Sequence, residues 1–479
     1  NDVAWAKADQ EARTRTYHLD QQFTSDVLFQ VPPDSMFGCE TADGPWSGVA
    51  SLPLAAFRPK DVERLFVLGG RADVSREQAE KLVRPLALID LGERLGTEAA
   101  AEAKRLPDPA GPNVRGQPTA QPAERGEVRE LLGGVRPNQQ LPTIPQAARA
   151  LPVLGRYDVV VIGGGTAGAP AGIAAARQGA RTLVVEQLCG LGGVGTTGYI
   201  SNYCAGNRVG FTSTVGGGAS WVIEQRMEWW RRELLQAGAD IWFGSVGCGA
   251  LVDPERGNQV LGAIVVTPRG RGVVLARAVI DATGNADVAA AAGAACVCTD
   301  ESEFAMQGTG LPPRQLGAAY TNTDYAYTDE TDLVDVWHLF VYAKEKYSSS
   351  FDLGQLVDTR ERRRIVGDFT LTVLDQVAGR TFPDTIAKSK TNYDTHGYIV
   401  EPYFLLRHPN GRSFTSYVPY RCLLPKDMEG LLVTGIGLSA HRDAQPIVRL
   451  QPDIQNQGYA AGAAAAKAAR RAALLLQLA

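Results

Sequence analysis

The chain has 479 residues, of which 44% are hydrophobic and 21% charged, which is ordinary for a globular protein of roughly two or three domains. A formal net charge of −4 gives no basic surface for nucleic acid or acidic membranes, so neither is expected as a partner. Seven cysteines, an odd number scattered from Cys39 to Cys422, argue against a disulfide framework. Cys296 and Cys298 stand one residue apart, a spacing that suits neither a redox pair nor zinc, and no metal site is expected. No run of about 18 apolar residues predicts a membrane span. The chain opens on Asn1-Asp2-Val3-Ala4-Trp5, with neither an initiator Met nor a signal-peptide pattern, and the compartment cannot be read from it.

Residues 1–110 contain one half of an internal repeat. Leu52–Arg71, LPLAAFRPKDVERLFVLGGR, runs parallel to Val418–Gly437, VPYRCLLPKDMEGLLVTGIG, at a constant offset of 366. With two compensating one-residue gaps, Arg84 matches Arg449, and the Gly92…Gly96…Ala99-Ala100-Ala101 helix matches Gly458…Gly462…Ala464-Ala465-Ala466. The N-terminal part therefore reads as the closing portion of a first copy of the later domain, without its opening portion. An unrelated small helical domain is the alternative. A partial domain exposes sheet edges and half a core, so a separate polypeptide or another subunit is expected to complete it. Residues 111–155 follow, rich in Pro, Gly, Gln and Arg with little apolar periodicity, and read as an extended linker.

At Tyr157–Ile162 the sequence turns to YDVVVI, a strand buried on both faces. It runs into Gly163-Gly164-Gly165-Thr166-Ala167-Gly168, then a helix from Ala169 to Gln178, then a strand from Arg181 to Val185 ending at Glu186. Each glycine has a task in dinucleotide binding. Gly163 allows the turn, Gly165 lets backbone approach a pyrophosphate, and Gly168 permits close helix–strand packing. The helix start offers N–H groups and the positive dipole end to phosphate. Glu186, with Gln187 beside it, is positioned for ribose hydroxyls. A second glycine-rich loop, Leu191–Gly198, contains Gly192, Gly193, Thr196 and Thr197. It is flanked by Cys189 and Cys204, and nothing specifies a covalent cofactor link.

Four segments carry a family resemblance: residues 157–200, Val279–Asp287 with its Ala282-Thr283-Gly284, the stretch from Arg360 through His396, and Tyr417–Ala466. Together they resemble the FAD-dependent oxidoreductase family of the glutathione-reductase-like superfamily, which is distantly similar to fumarate reductase and succinate dehydrogenase flavoproteins. The resemblance implies an α/β fold: a Rossmann-type FAD-binding domain at 156–295 and 420–479, with a substrate or cap region at 296–419. It also implies that Leu191–Gly198 passes the flavin ring and ribitol, that Thr283-Gly284 and Gly435 approach the FAD, and that Arg449 stands at the entrance of a helix from Gln451 to Arg470. That helix is expected to point its N-terminus at the flavin pyrimidine edge, stabilising negative charge on the reduced ring. Ile436 departs from the family, which often has a polar or charged residue there.

Flavin enzymes of this kind move a hydride to or from N5 and usually need a proton partner. His396, within Asp394-Thr395-His396, and His441, beside Arg442, are the candidates among five histidines. Arg360 and Arg363, or Arg360 and Arg364, have a helical spacing that would share one face and take a substrate carboxylate or the flavin O2 edge. A solvated helix face is the alternative. Tyr320, Tyr325, Tyr327, Trp337, Phe340 and Tyr342 are candidates to line a cleft, or plain core. The expected function is hydride transfer between FAD and a small polar organic substrate. A flavin-carrying structural or electron-transfer subunit is the alternative.

Overall fold

The computed structural model describes residues 30–31, 35–107, 125–131, 141–146, 150–298, 307–311, 321–325, 333–348, 363–393, 399–409 and 411–477. Arg360, His396, Tyr320 and Tyr327 lie outside them, as do the side chains of Tyr325 and Phe340. The chain divides into two compact units, Asn1–Val114 and Arg115–Ala479.

The first unit has a core of its own, in which Leu52, Ala56, Phe57, Ala72, Leu82 and Leu91 are buried. Its helix α1 (Arg76–Leu82) starts at a reciprocal cap: Ser75 accepts from Gln78 N–H, and the Gln78 side chain accepts from Ser75 N–H. Helix α2 (Pro85–Arg105) has Pro at its first position, where no intrahelical N–H is lost, and Lys104 and Arg105 in its last turn beside the negative dipole end. Arg58 joins the two halves of this unit, paired with Glu102 at 2.5 Å and lying 4.1 Å over the Phe66 ring.

The second unit is built on an eight-stranded sheet. In chain order its strands are β1 (Glu127–Glu130), β2 (Val153–Ile162), β3 (Thr182–Val185), β4 (Asp240–Trp242), β5 (Val246–Val252), β6 (Val260–Thr267) and β7 (Gly270–Asp281), joined by a late strand described below. Their spatial order is β1-β5-β6-β7-β2-β3-β4. β2 lies between β3 and β7 and is parallel to both. That central position requires apolar side chains on both faces. Val159 and Val161 enter the core on one side, Val160 and Ile162 the core on the other, and all four are almost fully buried. Each such side chain contributes about 1.5–3 kcal/mol of burial. The strand starts at Val153, and Glu127–Glu130 pairs antiparallel with β5. The stretch read as a linker therefore supplies an edge strand, because its polar residues can occupy an edge that a core strand could not.

Helix α3 (Gly168–Arg177) follows β2, and α4 (Ile223–Ala237) packs against α3 through Trp230 and Leu234. Helix α5 (Asp287–Ala292) covers the opposite face of the sheet. Beyond the short strands β8 (Cys296–Cys298), β9 (Gln307–Leu311) and β10 (Thr321–Tyr325) comes helix α6 (Leu333–Lys346). There Trp337 and Tyr342 are solvent-exposed, at 58% and 53%. Strand β11 (Arg363–Ile365) pairs antiparallel with β8. Arg363 and Arg364 are thus strand residues that project to opposite faces, not helical ones, while their expected pairings with Arg360 lie outside the described residues. The β-branched Ile365 and Val366 that close the run favour the strand.

Helix α7 (Val373–Val377), strand β12 (Thr385–Asn392), helix α8 (Pro402–Leu406) and strand β13 (Ser413–Pro419) follow, with β12 and β13 antiparallel. The chain then returns to the large sheet as β14 (Leu431–Val433), parallel to the end of β7. It closes with α9 (Gln445–Val448) and α10 (Gln451–Gln477), which runs past the expected end at Arg470. Helix α10 lies against α3 at glycine positions. A Cβ on Gly458 would overlap the carbonyl oxygen of Ala167, and one on Gly462 that of Ala171. None of the seven cysteines is joined in a disulfide. No helix among the described residues is long and apolar enough to cross a membrane.

The α3–α10 contact makes a direct prediction. Gly462→Ala should cost about 1–3 kcal/mol through overpacking against backbone that cannot rotate away, despite the better helix propensity of Ala. Denaturant unfolding monitored by circular dichroism checks it. An unchanged or raised midpoint would contradict the close approach.

Candidate functional site

The site forms where the carboxyl ends of β2, β3, β7 and β14 meet the start of α3. Gly163 leaves β2 with φ +95°, a conformation that L side chains rarely adopt. A Cβ there would also strike the Ala282 carbonyl. Gly168 lies against the Gly163 carbonyl so closely that no side chain fits. Gly165 differs: a Cβ on it would meet only the Gly193 Cα, at 3.8 Å. The fold itself therefore does not require glycine at 165, and the space above it is a backbone-lined lane beside the helix start. The first N–H groups of α3 have no intrahelical acceptor by geometry, and Ala167 caps the helix without a side-chain hydrogen bond. This lane suits a pyrophosphate, whose oxygens accept from backbone N–H.

Glu186, at the end of β3, fastens the glycine turn. Its Oε2 accepts from Gly164 N–H at 2.7 Å, and its Oε1 from Leu188 N–H at 2.8 Å. Burial pushes its carboxyl above the ordinary value, opposed by the backbone N–H groups of Leu188, Gly164 and Gln187. The second glycine loop is fastened to the first: Gly192 N–H donates to Gly164 O at 2.9 Å, and the Thr166 hydroxyl donates to Gly192 O at 3.2 Å. Within that loop the Thr196 hydroxyl donates to Leu191 O and the Thr197 hydroxyl to Gly193 O. These hydroxyls thus hold the loop's own shape.

The third segment hangs on a residue that the sequence reading passed over. Asp281, fully buried at the end of β7, accepts from Thr283 N–H and its hydroxyl through Oδ1, and from Ala289 N–H through Oδ2. Burial raises its carboxyl to about 6. The Thr283 hydroxyl in turn accepts from Asp287 N–H at 3.1 Å, and Gly284 takes φ +81° with no atom near its Cβ direction. Arg363 pairs with Asp287 at 3.0 Å, so the structure brings Arg363 to the Thr283-Gly284 loop. Gly435, at the end of β14 with φ +83°, lies 3.4 Å, measured from its Cβ direction, from the Ala167 side chain. The fourth segment is thereby in register with the first.

His441 caps the short 3-10 turn Arg442–Ala444, its Nδ1 accepting from Asp443 N–H at 3.2 Å. In the neutral ring this leaves Nε2 as the N–H donor. The turn is fixed from below: the Asp443 carboxylate accepts from Val400 and Glu401 N–H, and the Arg442 guanidinium lies 3.7 Å from it in the interior. Arg449 follows α9, its N–H donating to Gln445 O, immediately ahead of α10. The first turn of α10 contributes residues that no local motif announced. The Gln451 side chain donates to Ile200 O and Asn202 O, tying the helix to the second glycine loop. Asp453 accepts from Asn207 N–H. A buried Arg226, stacked 3.9 Å over Trp221, donates to the Tyr203 hydroxyl, which donates to Gln455.

Asp453 yields a prediction with a definite sign. Burial lifts its carboxyl from 3.8 to about 7. Below pH 3.8 folded and unfolded chains both hold the proton. As pH climbs toward about 7 the unfolded chain releases a proton that the folded chain keeps, so stability drains across that window. Asp453→Asn keeps the acceptor for Asn207 without the ionisation. Its stability advantage over the parent should grow from about pH 4 to pH 7 and then level off. A pH-independent difference in unfolding midpoint would refute the burial of this carboxyl.

The sequence model described as "FAD dependent oxidoreductase" matches residues 158–337 and 332–479, more than half of the chain. Among solved structures, a geranylgeranyl bacteriochlorophyll reductase-like protein from Thermoplasma acidophilum is similar at 15% identity and TM-score 0.34, covering 67% of this chain and 79% of that one. The OxyS anhydrotetracycline hydroxylase from Streptomyces rimosus is similar at 16% identity and TM-score 0.35, covering 65% and 63%. The flavin-dependent brominase Bmp2 is similar at 12% identity and TM-score 0.36, covering 66% and 80%. No curated protein matches. The family match spans the glycine lane, Glu186, the Thr283-Gly284 loop and the closing helix, and it carries the assignment: the chain belongs to the FAD-dependent oxidoreductase family, with FAD as its cofactor.

Proposed function

We propose that this oxidoreductase transfers a hydride between FAD and a small polar organic substrate, with residues 296–419 covering the face on which the substrate lies. The observation that supports this most directly is His441, whose Nδ1 is committed to the Asp443 N–H. A neutral imidazole so anchored presents Nε2–H to an oxygen acceptor.

Gly163, Gly165, Thr166, Ala167 and Gly168 would hold the pyrophosphate, with Glu186 and Gln187 at the adenosine ribose. Gly192, Gly193, Thr196 and Thr197 would line the ribitol and ring, with Thr283, Gly284, Gly435 and Arg449 on the other side. When bound, FAD takes or returns a hydrogen with its electron pair at N5. His441 orients and polarises a substrate hydroxyl or carbonyl oxygen while keeping its own proton, as neutral histidines do at other carbonyl sites. His396 remains the candidate for proton transfer itself. Arg363 spends its charge on Asp287 and so positions the Thr283-Gly284 loop.

Two experiments test this reading. Gly165→Val should fold with little change in stability yet purify without yellow flavin, since only the cofactor lane is filled; Gly168→Ala should lose stability first, by about 1–3 kcal/mol. Flavin retained by Gly165→Val would remove the pyrophosphate assignment. In anaerobic titrations against a panel of hydroxy acids, polyols and unsaturated acids, one class should bleach the oxidised flavin or reoxidise the reduced form. His441→Ala should slow that step by roughly 100-fold with flavin content unchanged. If no compound changes the flavin spectrum, the electron-transfer subunit becomes the better reading.

A further inference from the structure

Several backbone features of the first unit recur in the Gly367–Gly462 segment of the second. The 3-10 turns Leu54–Phe57 and Tyr420–Leu423 each follow an extended proline, Pro53 and Pro419. Asp61 and Asp427, both in Pro-Lys-Asp, take left-handed φ of 64° and 60°. The isolated bridge Gly38–Pro59 matches Gly367–Pro425, and the parallel bridge Ala42–Val74 matches Leu371–Ala440. The side-chain bonds repeat as well. Gly38 N–H donates to Asp73 Oδ2 at 2.8 Å and Gly367 N–H to Ser439 Oγ at 3.0 Å, with Thr41 and Thr370 on the same two acceptor residues. Ser75 N–H donates to Ala42 O as His441 N–H does to Leu371 O, and Ser75 and His441 both cap the helical turn that follows.

The correspondence ends where the second unit is covered by its own sheet and first helix. In β14, Leu431, Leu432 and Val433 are 3%, 5% and 1% exposed against β7. At the same offset their counterparts are Leu65, Phe66 and Val67, of which Leu65 is 46% exposed and the other two half-buried; Leu68, the counterpart of Thr434, is 54% exposed. In α10, Gly458 and Gly462 admit the backbone of α3. Their counterparts in α2 face open space: Gly92 meets only Leu68, at 3.8 Å, and Gly96 meets nothing within 4 Å. On the same helix Leu86 is 78% and Ile89 64% exposed. Among the described residues, the Leu65–Leu68 stretch thus joins no sheet, and beside it at Gly92 the helix α2 presents glycines that no helix backbone approaches.

We propose that this face, formed by Leu65, Leu68, Leu86, Ile89, Gly92 and Gly96, is an interaction surface for the opening half of a second dinucleotide-type fold. Its occupant is a polypeptide with a buried parallel strand, a glycine-rich turn and an Ala/Gly-rich helix equivalent to α3. The groove between Gly92 and Gly96 is shaped for the backbone of such a helix, because the same glycine spacing in α10 receives one. The α3 of a second copy of this chain cannot serve while its own α10 covers it.

The test uses the full chain and, as probe, a fluorescein-labelled synthetic peptide with the sequence of Arg156–Gln187, followed by anisotropy. Saturable binding of one peptide per chain is expected. Gly96→Leu and, separately, Ile89→Asp should weaken it by roughly tenfold or more. Gly96→Leu has room for its side chain and a better helix propensity, so it should fold. Absence of saturable binding overturns the proposal. So does binding that both variants leave unchanged, which would mean exchange against α10. A chain that sediments as a dimer and is dissociated by Gly96→Leu would also overturn it, making the occupant a second α2. Flavin content is read in the same samples, so failure here is distinguishable from failure of the flavin assignment.

Discussion

Backbone-to-backbone approach at glycine is the constraint on which the rest of this structure depends. At the β2–α3 turn, Gly168 lets the helix start lie on the Gly163 carbonyl, and at the α3–α10 contact Gly458 and Gly462 let one helix rest on the other's backbone. Both contacts fix α3 from opposite sides. That in turn fixes where the N–H groups of its first turn point. The energetic logic is that of dense packing: with no side chain between the elements, small displacements cost many contacts at once, and the site is rigid before the cofactor arrives.

Around that frame the polar groups fasten loops to one another. Glu186 pulls the first glycine loop toward the end of β3, Gly192 and Thr166 stitch the two glycine loops together, and Asp281 folds the Thr283-Gly284 loop onto α5. Burial penalises the charged forms of the buried carboxyls, raising Asp281 to about 6 and Asp453 to about 7. What they supply is acceptor oxygen for N–H groups that would otherwise be buried unpaired, an omission costing about 1–3 kcal/mol each. The same reasoning explains His441. Its Nδ1 satisfies the first free N–H of a helical turn, and this structural duty leaves Nε2 as the donor of the neutral ring.

Much of the β2–α3–β3 unit was legible because its signals are local. YDVVVI, the glycine run, the following helix and Glu186 lie within about one supersecondary unit, and each residue's reason is stated by its neighbours. Arg363 and Arg364 were not legible as strand residues for the complementary reason. A run of arginines carries no strong period of its own, and the pairing of Arg363–Ile365 with Cys296–Cys298 across the cap region decided strand over helix. Asp281 was in plain view beside Ala282-Thr283-Gly284, yet its full burial and its bond to Ala289 belong to a packing that no spacing rule records. Arg226 over Trp221, linked through Tyr203 to Gln455 in α10, spans still longer separations.

By itself the sequence indicated the α/β fold class and the dinucleotide unit, which follow from periodicity and from residue types whose backbone preferences are intrinsic; the FAD assignment came from the resemblance of four segments to a known family. Only the tertiary structure decided which glycines are required by packing and which merely leave room, that Glu127–Glu130 joins the sheet, that Arg363 faces Asp287, and which imidazole nitrogen of His441 is occupied. The physical reason is common to all of these. A conformational preference is a property of a residue and its near neighbours, whereas burial, overlap and hydrogen-bond partnership exist only once distant parts of the chain have been brought together.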